Sequence, residues 1–280
     1  PVLSRGLGDV YKRQILYRSN AQSRLYEQAL MREAIPYRVY GGQRFFERAE
    51  VKDALGYLRL LHNRNDDPAF ERVVNTPNRG IGDRTIEQLR YFARDLSISL
   101  WQAAQRLVEA SETAPRTRKS VVSFLQLIDQ LADDLAELEL GVQMRLVIEA
   151  TDLESHYAKE SRERFEARQD NLKELVRAAE TFVVSPEDAD AGLTAVAAFL
   201  SQAALEAGDT QAENWEDCVQ LMTLHTAKGL EFPLVFLAGM EEGLFPHQRS
   251  AEDSQRLEEE RRLCYVCLLY TSPSPRDNTG

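Results

Sequence analysis

The 280-residue sequence reads as an α/β protein, a parallel β-sheet interrupted by a large all-helical insertion. Three observations carry this reading. Near the amino terminus, two β-prone runs flank one helical pattern. From about residue 45 to about residue 217 every apolar pattern is helical and none alternates as a strand. At Val219 the β-type runs resume.

The elements follow in order. Ile15–Tyr17 is the first strand, and residues 20–34 carry apolar positions Leu25, Ala29 and Leu30 at helical spacing, with Asn20 as the cap. Pro36 breaks that helix, Tyr37–Tyr40 forms a second strand, and Gly41-Gly42 ends it. Strand, helix and strand this close together make a βαβ unit and imply parallel strands. Val51, Ala54, Leu55, Leu58 and Leu61 then form a helical stripe. Further helices are predicted over 69–75, 83–94, 100–110, 118–136, 142–151, 162–183 and 191–205, with residues 184–192 as a polar loop. Val219–Leu224 and Leu234–Ala238 complete the sheet as short buried strands.

Composition sets bounds. Apolar residues at 43% and charged residues at 28% describe an ordinary soluble globular protein. No apolar run reaches the length of a membrane span, and no apolar block opens the chain. Three cysteines give no disulfide framework and point to a reducing, cytoplasmic setting. Cys264 and Cys267 lack the second pair or the βαβ context that redox or metal chemistry would need. The net charge is −11, yet residues 1–100 hold 17 Lys and Arg against 12 Asp and Glu, while the remainder holds 17 against 33. That asymmetry suggests a basic face on an acidic body, or acidic helical faces that simply keep the chain soluble.

Three places hold candidate chemistry. Residues 75–83 (NTPNRGIGD) lie between helical patterns, and a helix starting at about Asp83 would aim its first N–H groups into the turn, which suits a phosphate. Arg79, Arg84, Arg90 and Arg94 add positive charge, so the segment reads as a helix-hairpin-helix element gripping a nucleic-acid backbone. The alternative is an ordinary helix–helix turn with a glycine cap. Arg18 and Asn20 stand where the first strand gives way to a helix, at the carboxyl edge where open α/β sheets bind ligands. A surface charge and a helix cap are the plainer readings of those two. Thr223 and His225 end the third strand at the same kind of edge, close to Thr226, Lys228 and Glu231. No partners for a nucleophilic or metal site accompany them, so binding fits better than covalent chemistry. The phosphate-cradling pattern G-x-x-x-x-G-K-[ST] occurs nowhere in the chain. Arg44–Arg48 mixes aromatic and basic residues, which suits base stacking or a buried anchor.

Several long strings resemble UvrD-type DNA helicases of superfamily 1: ILYRSNAQSR (Ile15–Arg24), YRVYGGQRFFERAEVKDALGYLRLL (Tyr37–Leu61), NTPNRGIGDRT (Asn75–Thr85), AFLSQAALEAG (Ala198–Gly208), LMTLHTAKGLEFPLVFLAGMEEGLFPH (Leu221–His247) and EEERRLCYV (Glu258–Val266). The resemblance implies a RecA-like motor domain, called 2A, over residues 15–44 and 218–266, interrupted by a helical domain, called 2B, over 45–217. It implies that Arg18, Asn20 and His225, with Thr223, touch single-stranded DNA. Arg79, Gly80, Ile81, Gly82, Arg84 and Thr85 would grip duplex DNA. Glu231 would bind the ATP ribose, with Gly229 shaping its turn. ATP and Mg²⁺ would drive 3′-to-5′ translocation and strand separation in repair or replication.

The sequence also departs from the family pattern. The first motor domain, with its Walker A lysine and Mg²⁺-binding acids, is missing and becomes the expected partner, alongside single-stranded and duplex DNA and repair proteins. Cys267-Leu-Leu-Tyr-Thr replaces the final arginine motif, with Tyr270 where the family's γ-phosphate arginine would stand. Residues 1–14 and 267–280 are expected to be non-native ends, the latter disordered, resembling adapter read-through joined to an internal fragment. Such a fragment should hold no ATP tightly and should be inactive alone. Two other readings stay open: a non-enzymatic DNA-binding or protein-docking module, and part of a recombination helicase–nuclease subunit.

Overall fold

The structure is a computed structural model that describes residues 13–110, 114–208, 218–228, 230, 232, 234–246, 250 and 254–269. It divides into two compact units, one from the chain up to Phe45 and from Ala207 onward, the other Phe46–Glu206.

The first unit is built on four parallel strands, β1 (Arg13–Tyr17), β2 (Tyr37–Val39), β3 (Val219–Thr223) and β4 (Leu234–Leu237), in the order β2-β3-β1-β4. β1 opens at Arg13, two residues before the apolar run that predicts it, because Arg13 and Gln14 pair with Leu234 and Val235 of β4. Residues 13 and 14, set aside as a foreign end by sequence, are thus part of the sheet. The sheet alternates as its period demands. Leu16 and Met222 face one side with Leu224, Ala227 and Phe245, while Tyr17, Tyr37, Val39, Val219 and Leu221 face the other. α1 (Ser23–Arg32) covers the second face through Tyr26, Leu30 and Met31. The first face receives Cys264 of α12 (Ser254–Leu269), a helix whose backbone extends into the segment expected to be a disordered tail.

Local chemistry adjusts the start of α1. Ser19, not Asn20, is the cap. Its backbone N–H donates to Gln22 Oε1 at 2.9 Å and its hydroxyl accepts from Ala21 N at 3.4 Å, closing a single 3₁₀ turn at Asn20–Gln22 ahead of the helix. Leu25, expected in the core, is 57% exposed, because α1 buries the stripe through Ser23, Glu27 and Leu30 instead.

The second unit holds α2 (Ala49–His62), α3 (Asp67–Val73), α4 (Asp83–Leu96), α5 (Leu100–Glu109), α6 (Pro115–Leu135), α7 (Leu140–Ala150), α8 (Leu153–Tyr157), α9 (Arg162–Glu180), α10 (Pro186–Asp190) and most of α11 (Ala195–Gly208). α2 is its hub: Val51, Ala54, Tyr57, Leu58 and Leu60 are all fully buried, and α3, α6, α7 and α9 pack around it. Phe70, Trp101 and Phe124 form an edge-to-face cluster with centroids 5.6–6.5 Å apart. Two short helices were not predicted. α10 forms within the expected polar loop because Ser185 Oγ accepts from Asp188 N at 3.1 Å and Pro186 opens the turn. α8 is a single turn carrying Leu153 and Tyr157 into the core.

A buried polar network ties α2 to α9. Glu50, with a side chain 5% exposed, accepts from Arg168 Nη1 at 2.6 Å and from Asn171 Nδ2 at 2.5 Å. Arg48 Nη1 donates to the other end of the Asn171 amide at 2.8 Å. Nearby, the Tyr157 hydroxyl donates to Asp53, which also pairs with Arg72 at 2.8 Å. Burial pushes the Tyr157 phenol well above its usual range, and the Asp53 carboxylate adds to the effect. Removing one member of such a network strands the others in a low dielectric. Glu50→Ala should therefore lower stability by about 3–5 kcal/mol, read as a fall in the denaturation midpoint. A change below ~1 kcal/mol would mean that the network contributes little.

Candidate functional site

The sheet brings one predicted set together. β1 and β3 run in register, with Tyr17 opposite Thr223, and Leu224 N–H donates to Tyr17 O at 2.9 Å. The chain therefore leaves β1 at Arg18 and β3 at His225 on the same carboxyl edge. β2 ends there too, since Tyr40 N–H donates to Leu221 O at 2.8 Å. Segments some two hundred residues apart in sequence share one rim, and the polar side chains that follow the strands line it.

The groups on this rim differ in state. Asn20 and His225 are exposed. Thr223 is half-buried, its hydroxyl 2.9 Å from the Thr226 hydroxyl and accepting from Thr226 N at 3.2 Å. That pair fixes the first turn after β3. The turn packs against Gly41 at the exit of β2, which has φ +75°, and a Cβ there would lie 2.9 Å from Thr226 Cγ2. Arg18 is bound to Glu260 of α12, with Nε 2.8 Å from both carboxylate oxygens and Nη2 2.6 Å from Oε1. Behind the rim, Tyr26 stacks on Tyr17 with centroids 5.9 Å apart, and burial, then the Glu241 carboxylate, raises its phenol above the usual range. Gly229 and Glu231, the expected ribose-site residues, lie outside the described residues.

The second predicted set, in the helical unit, is divided by the fold. Gly80 has φ +77° and makes the turn, while Gly82 is extended and serves as the N-cap of α4 without a capping side chain. No side chain therefore caps the first turn of α4, in which Thr85 N–H donates to Gly82 O at 2.9 Å. Ahead of it, the loop is closed by asparagines: Asn75 Oδ1 accepts from Arg79 N at 2.8 Å and Ile81 N at 3.2 Å, and Asn78 Oδ1 accepts from Gly80 N at 2.9 Å. Ile81 is fully buried and Thr85 nearly so, so both anchor the turn rather than line its surface.

Arg79 turns inward. Its guanidinium donates to Pro77 O at 3.0 Å and Thr151 O at 3.3 Å and lies 5.6–5.7 Å from the ring centres of Tyr57 and Phe124. Burial pushes the Tyr57 phenol well above its usual range, against the lowering effect of Arg79. Arg90 is engaged by Glu71 at 2.5 and 2.8 Å, and that hydrogen bond holds the Glu71 carboxyl below its usual range. Of the four arginines that made this segment look basic, Arg84 and Arg94 point their charge to solvent without an ion pair among the described residues. Phe45 and Phe46 are both buried, 1% and 4% exposed, which removes them as stacking platforms for bases. From the sequence, Glu260, Ser250, Asn75 and Asn78 carried no role of their own, and Gly41 only that of ending a strand. The asparagines could have been suspected from turn chemistry, but nothing local links Arg18 to a carboxylate 242 positions away.

Among the described residues no cluster of three or more His, Cys, Asp or Glu is arranged to hold a metal ion, and no helix is long and apolar enough to cross a membrane.

A parallel sheet with polar strand exits on one edge, interrupted by a helical unit, defines an α/β protein of the interrupted type. The chain belongs to the UvrD-like helicase C-terminal domain family, which matches residues 6–269. It is 56% identical over 252 residues to DNA helicase II of Escherichia coli, covering 90% of this chain and 35% of that protein. It is 40% identical over 266 residues to the ATP-dependent DNA helicase UvrD1 of Mycobacterium bovis, covering 90% of this chain and 34% of that protein. To the ATP-dependent DNA helicase PcrA of Bacillus subtilis it is 38% identical over 258 residues, again 90% of this chain and 34% of the relative. The chain thus spans about a third of the length of these curated relatives.

The Gly41–Thr226 contact sets a prediction. Gly41→Ala places a Cβ both in the left-handed region and against Thr226, and should destabilise the sheet unit by about 1–3 kcal/mol. Urea denaturation checks it, and an unchanged midpoint would show that the turn after β3 yields easily.

Proposed function

We propose that this chain is part of an ATP-dependent 3′-to-5′ DNA helicase of DNA repair or replication, supplying the second motor domain and its helical insertion. The observation that carries the reading is the shared carboxyl edge, where Arg18 and Asn20 leave β1 beside Thr223 and His225 leaving β3, in a chain of a helicase family. In this reading the edge holds single-stranded DNA. Arginine, asparagine, threonine and histidine side chains are the groups that grip phosphates and base edges. The exposed face of Gly80, Gly82 and Arg84 holds duplex by its backbone, with Ile81, Thr85 and Arg79 giving the turn its shape. Membership of the family and the names of its relatives, an ATP-dependent helicase among them, support ATP as the energy source and DNA as the substrate.

The residues present do not by themselves fit a triphosphate. The chain has no glycine-rich phosphate loop, and the assigned ribose contact is Glu231 with Gly229. ATP and Mg²⁺ therefore belong to the whole protein, in which a first motor domain supplies the phosphate site and stands as the chain's principal partner. The setting is the cytoplasm, with repair proteins as further partners.

Two outcomes follow. The purified 280-residue chain should show no DNA-stimulated ATP turnover, and measurable turnover would sink this reading. It should bind duplex weakly and in a salt-sensitive way. Arg84→Ala should weaken that binding whatever the sequence and reduce the slope of log K against log[salt] by about 1. Arg79→Ala should instead lower the melting temperature. The reverse pattern would reassign the duplex contact to Arg79.

A further inference from the structure

We propose that Glu260 is a positioning residue, holding the Arg18 guanidinium by one edge so that its other edge meets a phosphate oxygen. This rests on the reading of Arg18 as a ligand contact at the sheet rim and adds what aims it. The geometry is a fork. Nε lies 2.8 Å from Oε1 and from Oε2, and Nη2 lies 2.6 Å from Oε1. Among the described residues no partner falls on Nη1. A guanidinium has five N–H donors in one plane, so the Nε–Nη2 edge faces the carboxylate and the Nη1 side stays open. Planar forks of this kind match phosphate.

Glu260 is the fixed member of the pair. Its side chain is 4% exposed against 24% for Arg18. It sits on α12 and also accepts from Ser250 Oγ at 3.1 Å, Ser250 itself being buried. Withdrawing a carboxylate this deep from a cation is costly, so the pair persists when an anion arrives. An arginine left alone at a strand exit would spend its binding energy on freezing its own rotamers. One already held pays that cost in folding. The opposite expectation is that Glu260 competes with the phosphate for one cation and weakens binding. The two differ in sign. Neutralising a carboxylate beside a polyanion should tighten binding by charge alone, so a weakening can come only from lost orientation.

The phosphate has two sources, a DNA strand or a nucleotide, and the test separates them. The full chain is titrated by fluorescence anisotropy with a labelled oligo-dT and, in a second arm, with a fluorescent ATP analogue. Arg18→Ala should weaken binding of one probe, which identifies the source. Glu260→Gln should weaken the same probe by roughly three- to tenfold and Ser250→Ala by less. In the Arg18→Ala background neither change should add anything, a dependence that loss of fold would not give. Should Glu260→Gln fail to fold, Ser250→Ala carries the same sign and the same dependence. Tighter or unchanged binding in Glu260→Gln, with Arg18→Ala still weakening it, overturns the positioning role alone. No effect of Arg18→Ala on either probe overturns the contact itself.

Discussion

The pairing of β1 with β3 is the constraint on which the rest of the sheet unit depends. β1 and β2 are joined by one helix, yet they are not neighbours, because β3 lies between them. The gap left by the early βαβ segment is one strand wide, and only the chain that returns after the helical insertion fills it. Backbone N–H and C=O groups in a buried sheet must be paired, so β2 has no complete ladder until Val219–Leu221 arrives opposite Tyr37–Val39. The same event buries Leu221 and Met222 on opposite faces and sets the strand exits side by side. Core and rim are consequences of one long-range pairing.

The rim and the helical turn show a common physical economy. Arginines stand in both segments, and most of them are already committed. Arg18 is forked onto Glu260, Arg90 onto Glu71, and Arg79 is bonded to backbone carbonyls near the rings of Tyr57 and Phe124. A committed guanidinium still presents unused donors in a fixed plane, whereas an uncommitted one offers charge without direction. On the rim one cation, Arg18, is held, and the hydroxyls of Thr223 and Thr226 are paired. Groups held in this way lose little further freedom if a ligand meets them.

Much of this was legible in the chain. The helices of the second unit were visible through apolar spacing, and the strands through short β-prone runs bounded by glycine and proline. The polar residues at the strand exits were visible as types in position. Illegible parts fall into two kinds. Short caps overrode broad patterns: Ser19 displaced Asn20 as the cap, and Ser185 with Pro186 turned an expected loop into α10. Elsewhere a residue's role depended on a partner far along the chain, as with Arg79 on Thr151 O and Arg18 on Glu260.

The sequence by itself determined the alternation of strand and helix, the interruption of the sheet by a helical stretch, and the residue types at each strand exit. These rest on periodicity and turn chemistry, which act over a few residues and are written locally. Tertiary structure alone decided the strand order, the burial of Ile81 and Thr85 in a turn expected to grip duplex DNA through them, and which arginines stay outside ion pairs among the described residues. Burial and ion pairing join residues separated by up to 242 positions, and no local pattern encodes which carboxylate a guanidinium will meet.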